Sequence, residues 1–144
     1  MVLRIVSADQ LRRYTRIKQM ESDKRRHNSL DADAALLEEK RRAFMQECFD
    51  EPELLSLLDH IAIAARSGVF EYEVMDFPAA FCSDGGRAIN NSEPTWPNTL
   101  QGKAKHFHDI WQEHGKPHGY RLKARVISYP RGFIGDISLL VDWS

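Results

Sequence analysis

The chain has 144 residues, a length that suits one domain with one core, and its 42% hydrophobic and 28% charged content excludes a wholly disordered polymer. No apolar run approaches the roughly 18 residues a membrane helix needs, and Met1 to Val6 is too short a stretch for a secretory signal. The net charge of −1 hides a polarised layout: residues 1–28 carry +5, 29–42 carry −1, 43–98 carry −8 and 99–144 carry +3.

The first element opens on Ser7-Ala8-Asp9-Gln10, a capping-box pattern that predicts a helix over 8–27. Leu11, Tyr14, Ile17 and Met20 lie loosely on one side of it, and Arg and Lys fill the rest. So thin a stripe predicts a helix that needs a partner, and residues 1–28 are read as a partner-binding or oligomerisation helix within a single domain spanning 1–144. Asn28-Ser29 suits the cap of a second helix over 30–49, with Leu30, Ala34, Leu37, Phe44 and Cys48 at helical spacing. Asp50-Glu51-Pro52-Glu53 then starts a third helix, 51–67. Its apolar face is Leu54, Leu58, Ile61 and Ala65, and Gly68 follows its end.

From Val69 the period changes to two, which predicts a strand over 69–76 stopped by Pro78. A long loop from Ala79 to about Thr95 leads to a helix over 97–114 carrying Leu100, Ala104, Phe107 and Trp111 on one face. The closing residues alternate strictly on both sides of Pro130-Arg131-Gly132, predicting strands over 120–129 and 134–143. Pairing apolar with apolar selects Val126–Ile137, Ala124–Leu139, Leu122–Val141 and Tyr120–Trp143, and sets Arg121 opposite Asp142. The loop is then Arg131-Gly132 or Pro130 to Phe133. Because Glu71 and Glu73 complement Arg121, Lys123 and Arg125, the 120–129 strand is expected at the centre of the sheet. The class is α+β, with helices covering one face of a three-stranded antiparallel sheet.

Chemistry concentrates in the loop. In Cys82-Ser83-Asp84-Gly85-Gly86-Arg87, two glycines let backbone N–H groups converge on an anion and Arg87 adds a bidentate cation. Ser83, Asp84, Gly85, Gly86 and Arg87 are therefore the candidate binding set for a small anionic ligand, with Asp84 the acid–base candidate. Ordinary turn chemistry explains Ser-Asp-Gly-Gly equally well. His106 and His108 point apart on a helix and cannot share an ion, while His114 and His118 flank the helix end. No HExxH or Cys/His ligand spacing exists, so no metal and no cofactor is called for. The carboxylate row Glu71, Glu73 and Asp76 is best read as a salt-bridge ladder. The basic run Lys24-Arg25-Arg26-His27, with Arg12, Arg13 and Arg16, reads as a solvated helix face; the acidic middle of the chain and the lack of any helix-turn-helix, RRM or zinc-finger pattern count against nucleic acid as a partner. Cys48 and Cys82 read as free, buried thiols of a soluble, cytoplasmic chain.

The stretch from Cys82 to Asn91, with Trp96-Pro97, Thr99-Leu100, Gly102-Lys103-Ala104, Gly119-Tyr120-Arg121-Leu122 and Gly135-Asp136, resembles a family of bacterial conserved hypothetical proteins. The similarity covers about residues 68–143. That family has no assigned activity, so the resemblance implies a bacterial protein and supplies no mechanism. Two expectations stand: an interaction module that associates with itself or a protein partner through its N-terminal helices, and an anionic-ligand site on the 82–96 loop. No complete catalytic constellation is visible, which favours the first.

Overall fold

A computed structural model describes residues 5–144. The chain divides into two compact units after Arg41. The first is helical: α1 (Ala8–Gln46) begins in it, with the Gln10 N–H donating to Ser7 Oγ at 3.2 Å as the capping box requires. The two helices expected over 8–27 and 30–49 are one. Asn28 and Ser29 each cost the helix only about 0.5 kcal/mol relative to alanine, and neither interrupts the backbone ladder as proline would. His27 Nε2 and Asp31 Oδ2, 3.3 Å apart, span the expected break.

The second unit starts with the last turn of α1, where Phe44 packs its ring 5.2 Å from Phe77 and 5.0 Å from Phe81. Helix α2 (Glu51–Arg66) is capped as expected, its Asp50 carboxylate accepting from the Glu53 N–H at 2.9 Å, with Pro52 in the first turn. The corner between α1 and α2 is fastened to α4 (Gly102–Ile110). The Phe49 N–H donates to His106 Nδ1 at 2.7 Å, and Lys103 Nζ lies 3.4 Å from Glu47 and 2.9 Å from Glu53. The helix expected over 97–114 is broken up: a 3₁₀ turn at Trp96–Thr99, then α4, then a π turn at Trp111–Gly115 and a 3₁₀ turn at Lys116–His118. The break sits at Gly102, where φ is +58°, because the backbone there lies directly on Phe44 and Met45. The apolar face read from sequence survives, with Leu100, Ala104 and Phe107 buried.

Strands β1 (Glu71–Pro78), β2 (Arg121–Val126) and β3 (Asp136–Asp142) form one antiparallel sheet in the order β1-β3-β2. The hairpin register is the expected one: Val126 faces Ile137, Ala124 faces Leu139, Leu122 faces Val141 and Arg121 faces Asp142. The turn is longer than expected. Hydrogen bonding closes at Ser128 and Gly135, with a 3₁₀ turn at Pro130–Gly132 between them. Arg131 takes φ +53° there.

The central strand is β3, not the 120–129 strand. Its inner face holds Ile137 and Leu139 at 0% exposure. Its outer residues Ser138, Leu140 and Asp142 are also buried, which only a strand with neighbours on both sides achieves. The charge complementarity that suggested the other order operates across β3. From β2, Lys123 Nζ reaches Glu71 at 3.1 Å and Arg125 reaches it at 2.9 Å. Lys123 also lies 2.5 Å from Asp142, and Arg121 3.6 Å from it. Glu73 instead accepts from the Ser138 hydroxyl at 2.7 Å. In β1 the register shifts between Glu73 and Met75, a β-bulge that sets Met75 against Leu139 and Phe77 against Ile137.

Two outcomes follow from this packing. In Gly102→Ala the added Cβ overlaps the Phe44 carbonyl oxygen in a left-handed backbone, and urea unfolding is expected to show a loss of about 2–3 kcal/mol. Gly68→Ala, equally left-handed at φ +90° but in open space, is expected to cost only about 1 kcal/mol. Equal costs for the two would remove the close approach. Lys123 holds Asp142 well below the usual carboxylate range, with Ser144 adding to it, and the same lysine chiefly lowers Glu71. A carboxyl depressed in the folded state stabilises fully above its unfolded pKa, about 4, and loses that contribution as the pH falls further. Urea midpoints are therefore expected to fall below about pH 4, with a shallower acid limb in Asp142→Asn.

Candidate functional site

The 79–96 segment is ordered against the core. Phe81, Cys82, Ala88 and Ile89 are buried beneath it, and a 3₁₀ turn at Ala79–Phe81 leads into it. The Asp84 carboxylate accepts from the Gly86 N–H at 3.0 Å and from the Ala88 N–H at 2.8 Å, closing the turn that starts the short helix α3 (Arg87–Asn90). The Gly85 N–H donates to the Cys82 carbonyl at 3.3 Å and the Ser83 N–H to the Thr99 carbonyl at 2.9 Å. The amides expected to cradle an anion are thus donated within the fold. Gly86, at φ +86°, is buried on Ile137 and Ala79, where a Cβ would stand 2.9 Å and 3.0 Å from their carbons. Ser83, Asp84, Gly85 and Arg87 are exposed. The structure brings the five residues together as a capped turn, and the concavity beside this segment is lined by Ile89, Ser92, Glu93, Pro94 and Trp96 with β2 rather than by them.

The histidines divide as the helical spacing requires. His106 locks the α1–α2 corner, and His108 lies beside Trp111 with ring centres 5.7 Å apart. Among the described residues no group of three or more His, Cys, Asp or Glu is placed to hold a metal ion. Also among them, no helix is long and apolar enough to cross a membrane.

Sequence reasoning missed the pocket between α2 and the π turn. It has a volume of about 350 Å³. Leu54, Leu57 and Ile61 of α2 line it on one side, Phe107 and Trp111 on the other, and the exposed His114 and His118 stand at its rim. Its wall is fixed by backbone economy at Gly115, where a Cβ would stand 2.8 Å from Trp111 Cδ1, and by the Trp111 indole N–H, which donates to the Tyr120 carbonyl at 2.9 Å. Both walls were visible as apolar helix faces. The π turn that borders the space between them carries no sequence signature beyond a terminal glycine.

No family model matches the chain, and no curated protein or solved structure matches it. The geometry alone therefore supplies its chemistry.

Both cysteines are free, but only Cys82 is buried; Cys48 is exposed where α1 has ended, so the expectation of two buried thiols holds for one. Burial pushes the Cys82 thiol up to about 11, with the Asp84 charge adding to it. Since the thiolate is the nucleophile, alkylation of the native protein near pH 8 followed by mass measurement is expected to show one rapid label, on Cys48, and a second only after denaturation. Rapid double labelling would contradict the burial.

Proposed function

We propose that the chain is an interaction module that self-associates through its N-terminal helix. The observation that carries this reading is the state of α1 within the first unit: every described residue from Ile5 to Lys40 is exposed. Among them Leu11 is 52% exposed, Tyr14 57%, Ile17 56% and Met20 71%. A helix draws most of its stability in water from a buried face, and among the described residues of this unit nothing buries these side chains. The charge layout favours a second copy as the cover. Residues 9–27 hold seven Lys or Arg against three Asp or Glu, whereas 31–39 hold four Asp or Glu and no Lys or Arg. Two copies running antiparallel set Arg12, Arg13, Arg16 and Lys18 of each against Asp31, Asp33, Glu38 and Glu39 of the other, the arrangement of a two-fold dimer.

The reading includes a bacterial, cytoplasmic setting, supported by two free thiols and by the resemblance over residues 68–143. It assigns no catalytic role.

Sedimentation equilibrium on the full chain, from about 1 to 200 μM, is expected to show a monomer–dimer equilibrium that weakens as ionic strength rises toward about 0.5 M. Ile17→Asp is expected to shift it to monomer while leaving thermal unfolding of the sheet unit unchanged. A strict monomer over the whole range overturns the proposal.

A further inference from the structure

The pocket between α2 and the π turn is independent of the helix just discussed, and all its lining residues belong to the second unit. We infer that it binds a small neutral aromatic molecule carrying a hydrogen-bond donor at one end, a phenol in the simplest case. Its size sets the class. About 350 Å³ lies at the low end of small-ligand sites, and no extended chain or helix fits inside it. Its walls are aliphatic and aromatic, with Trp111 and Phe107 among the lining residues, so the body of the ligand is apolar and an aromatic ring suits it.

The rim decides the head group. His118 Nδ1 lies 2.7 Å from the His114 carbonyl oxygen. A carbonyl only accepts, so Nδ1 carries the proton, and in the neutral ring Nε2 carries a lone pair. The other polar groups nearby point the same way. The Trp111 N–H is already given to Tyr120, and His114 Nε2 lies 3.8 Å from the Glu113 carboxylate. Lys116 is outside the lining residues and rests against the Trp111 ring, 6.0 Å from its centre. A rim whose lining residues offer an imidazole acceptor and no cationic Lys or Arg side chain selects an O–H or N–H donor over an anion. A single-turn π element at the pocket wall accords with the frequent occurrence of such turns at functional sites.

Isothermal titration of the full chain near pH 8 with 2-naphthol, and separately with 2-methoxynaphthalene, tests this. The two probes share the ring and differ in the donor. Saturable one-to-one binding of 2-naphthol, about tenfold tighter than its methyl ether, is expected from one hydrogen bond to the rim imidazole. His118→Phe, at an exposed position, is expected to bring the two probes within about threefold of each other. Leu58→Trp, on the exposed lip of the pocket, is expected to weaken both, with circular dichroism showing the fold intact. No saturation by 2-naphthol below about 1 mM, equal affinity for the two probes, or binding that neither substitution changes would each overturn the assignment. Sedimentation reads the helix, so the two proposals fail separately.

Discussion

Strand β3 is the constraint on which the second unit rests. It is buried on both faces, and every other part of the unit is arranged to make that possible. Its inner residues Ile137 and Leu139 lie in the core with Phe44, Phe77 and Phe107. Its outer residues are sheltered by charged side chains that reach over it from both flanking strands. Lys123 is the hinge of that cover, pairing with Asp142 on β3 and with Glu71 beyond it. Asp142 is tolerable at 4% exposure because it is held by two basic side chains and by the Ser144 backbone.

This cover explains what was legible in the sequence and what was not. The hairpin register was legible because two strict alternations can be laid together in only one phase without burying Arg121 or Asp142 among apolar groups. The strand order was not, because long side chains let opposite charges meet across an intervening strand, and sequence complementarity does not say how many strands lie between. The bulge at Val74 was hidden for a different reason. Tyr72-Glu73-Val74 alternates well by itself, and only the demand that Met75 and Phe77 face Leu139 and Ile137 reveals the slip.

The helical half shows the same division. Asp50 with Pro52 and Glu53 gave the start of α2 because capping is a local hydrogen bond between near neighbours. Asn28-Ser29 offered the same local chemistry and it went unused, since a cap forms only where the chain has reason to turn. The 82–87 turn was located correctly as the densest polar punctuation in the chain. What its groups do there, bonding to one another and to Thr99, is a matter of tertiary placement. The α2 pocket depends still more on placement, since it is made by residues more than eighty positions apart, from Leu54 to Val141.

With β3 at the centre, the outer strands of the sheet are β1 and β2, and they differ in sign: Glu71 and Glu73 on one, Arg121, Lys123 and Arg125 on the other. Outer strands of opposite charge invite copies to stack edge to edge wherever an edge is exposed, the usual first step toward fibrous aggregates. Here Lys123 and Arg125 lean inward to Glu71. The charges that would attract a neighbouring sheet are spent within the molecule. In acid, protonation of Glu71 and Asp142 leaves the three β2 cations unopposed, and like charge then holds the copies apart. The ion pairs that shelter the core strand thus also keep the sheet finite.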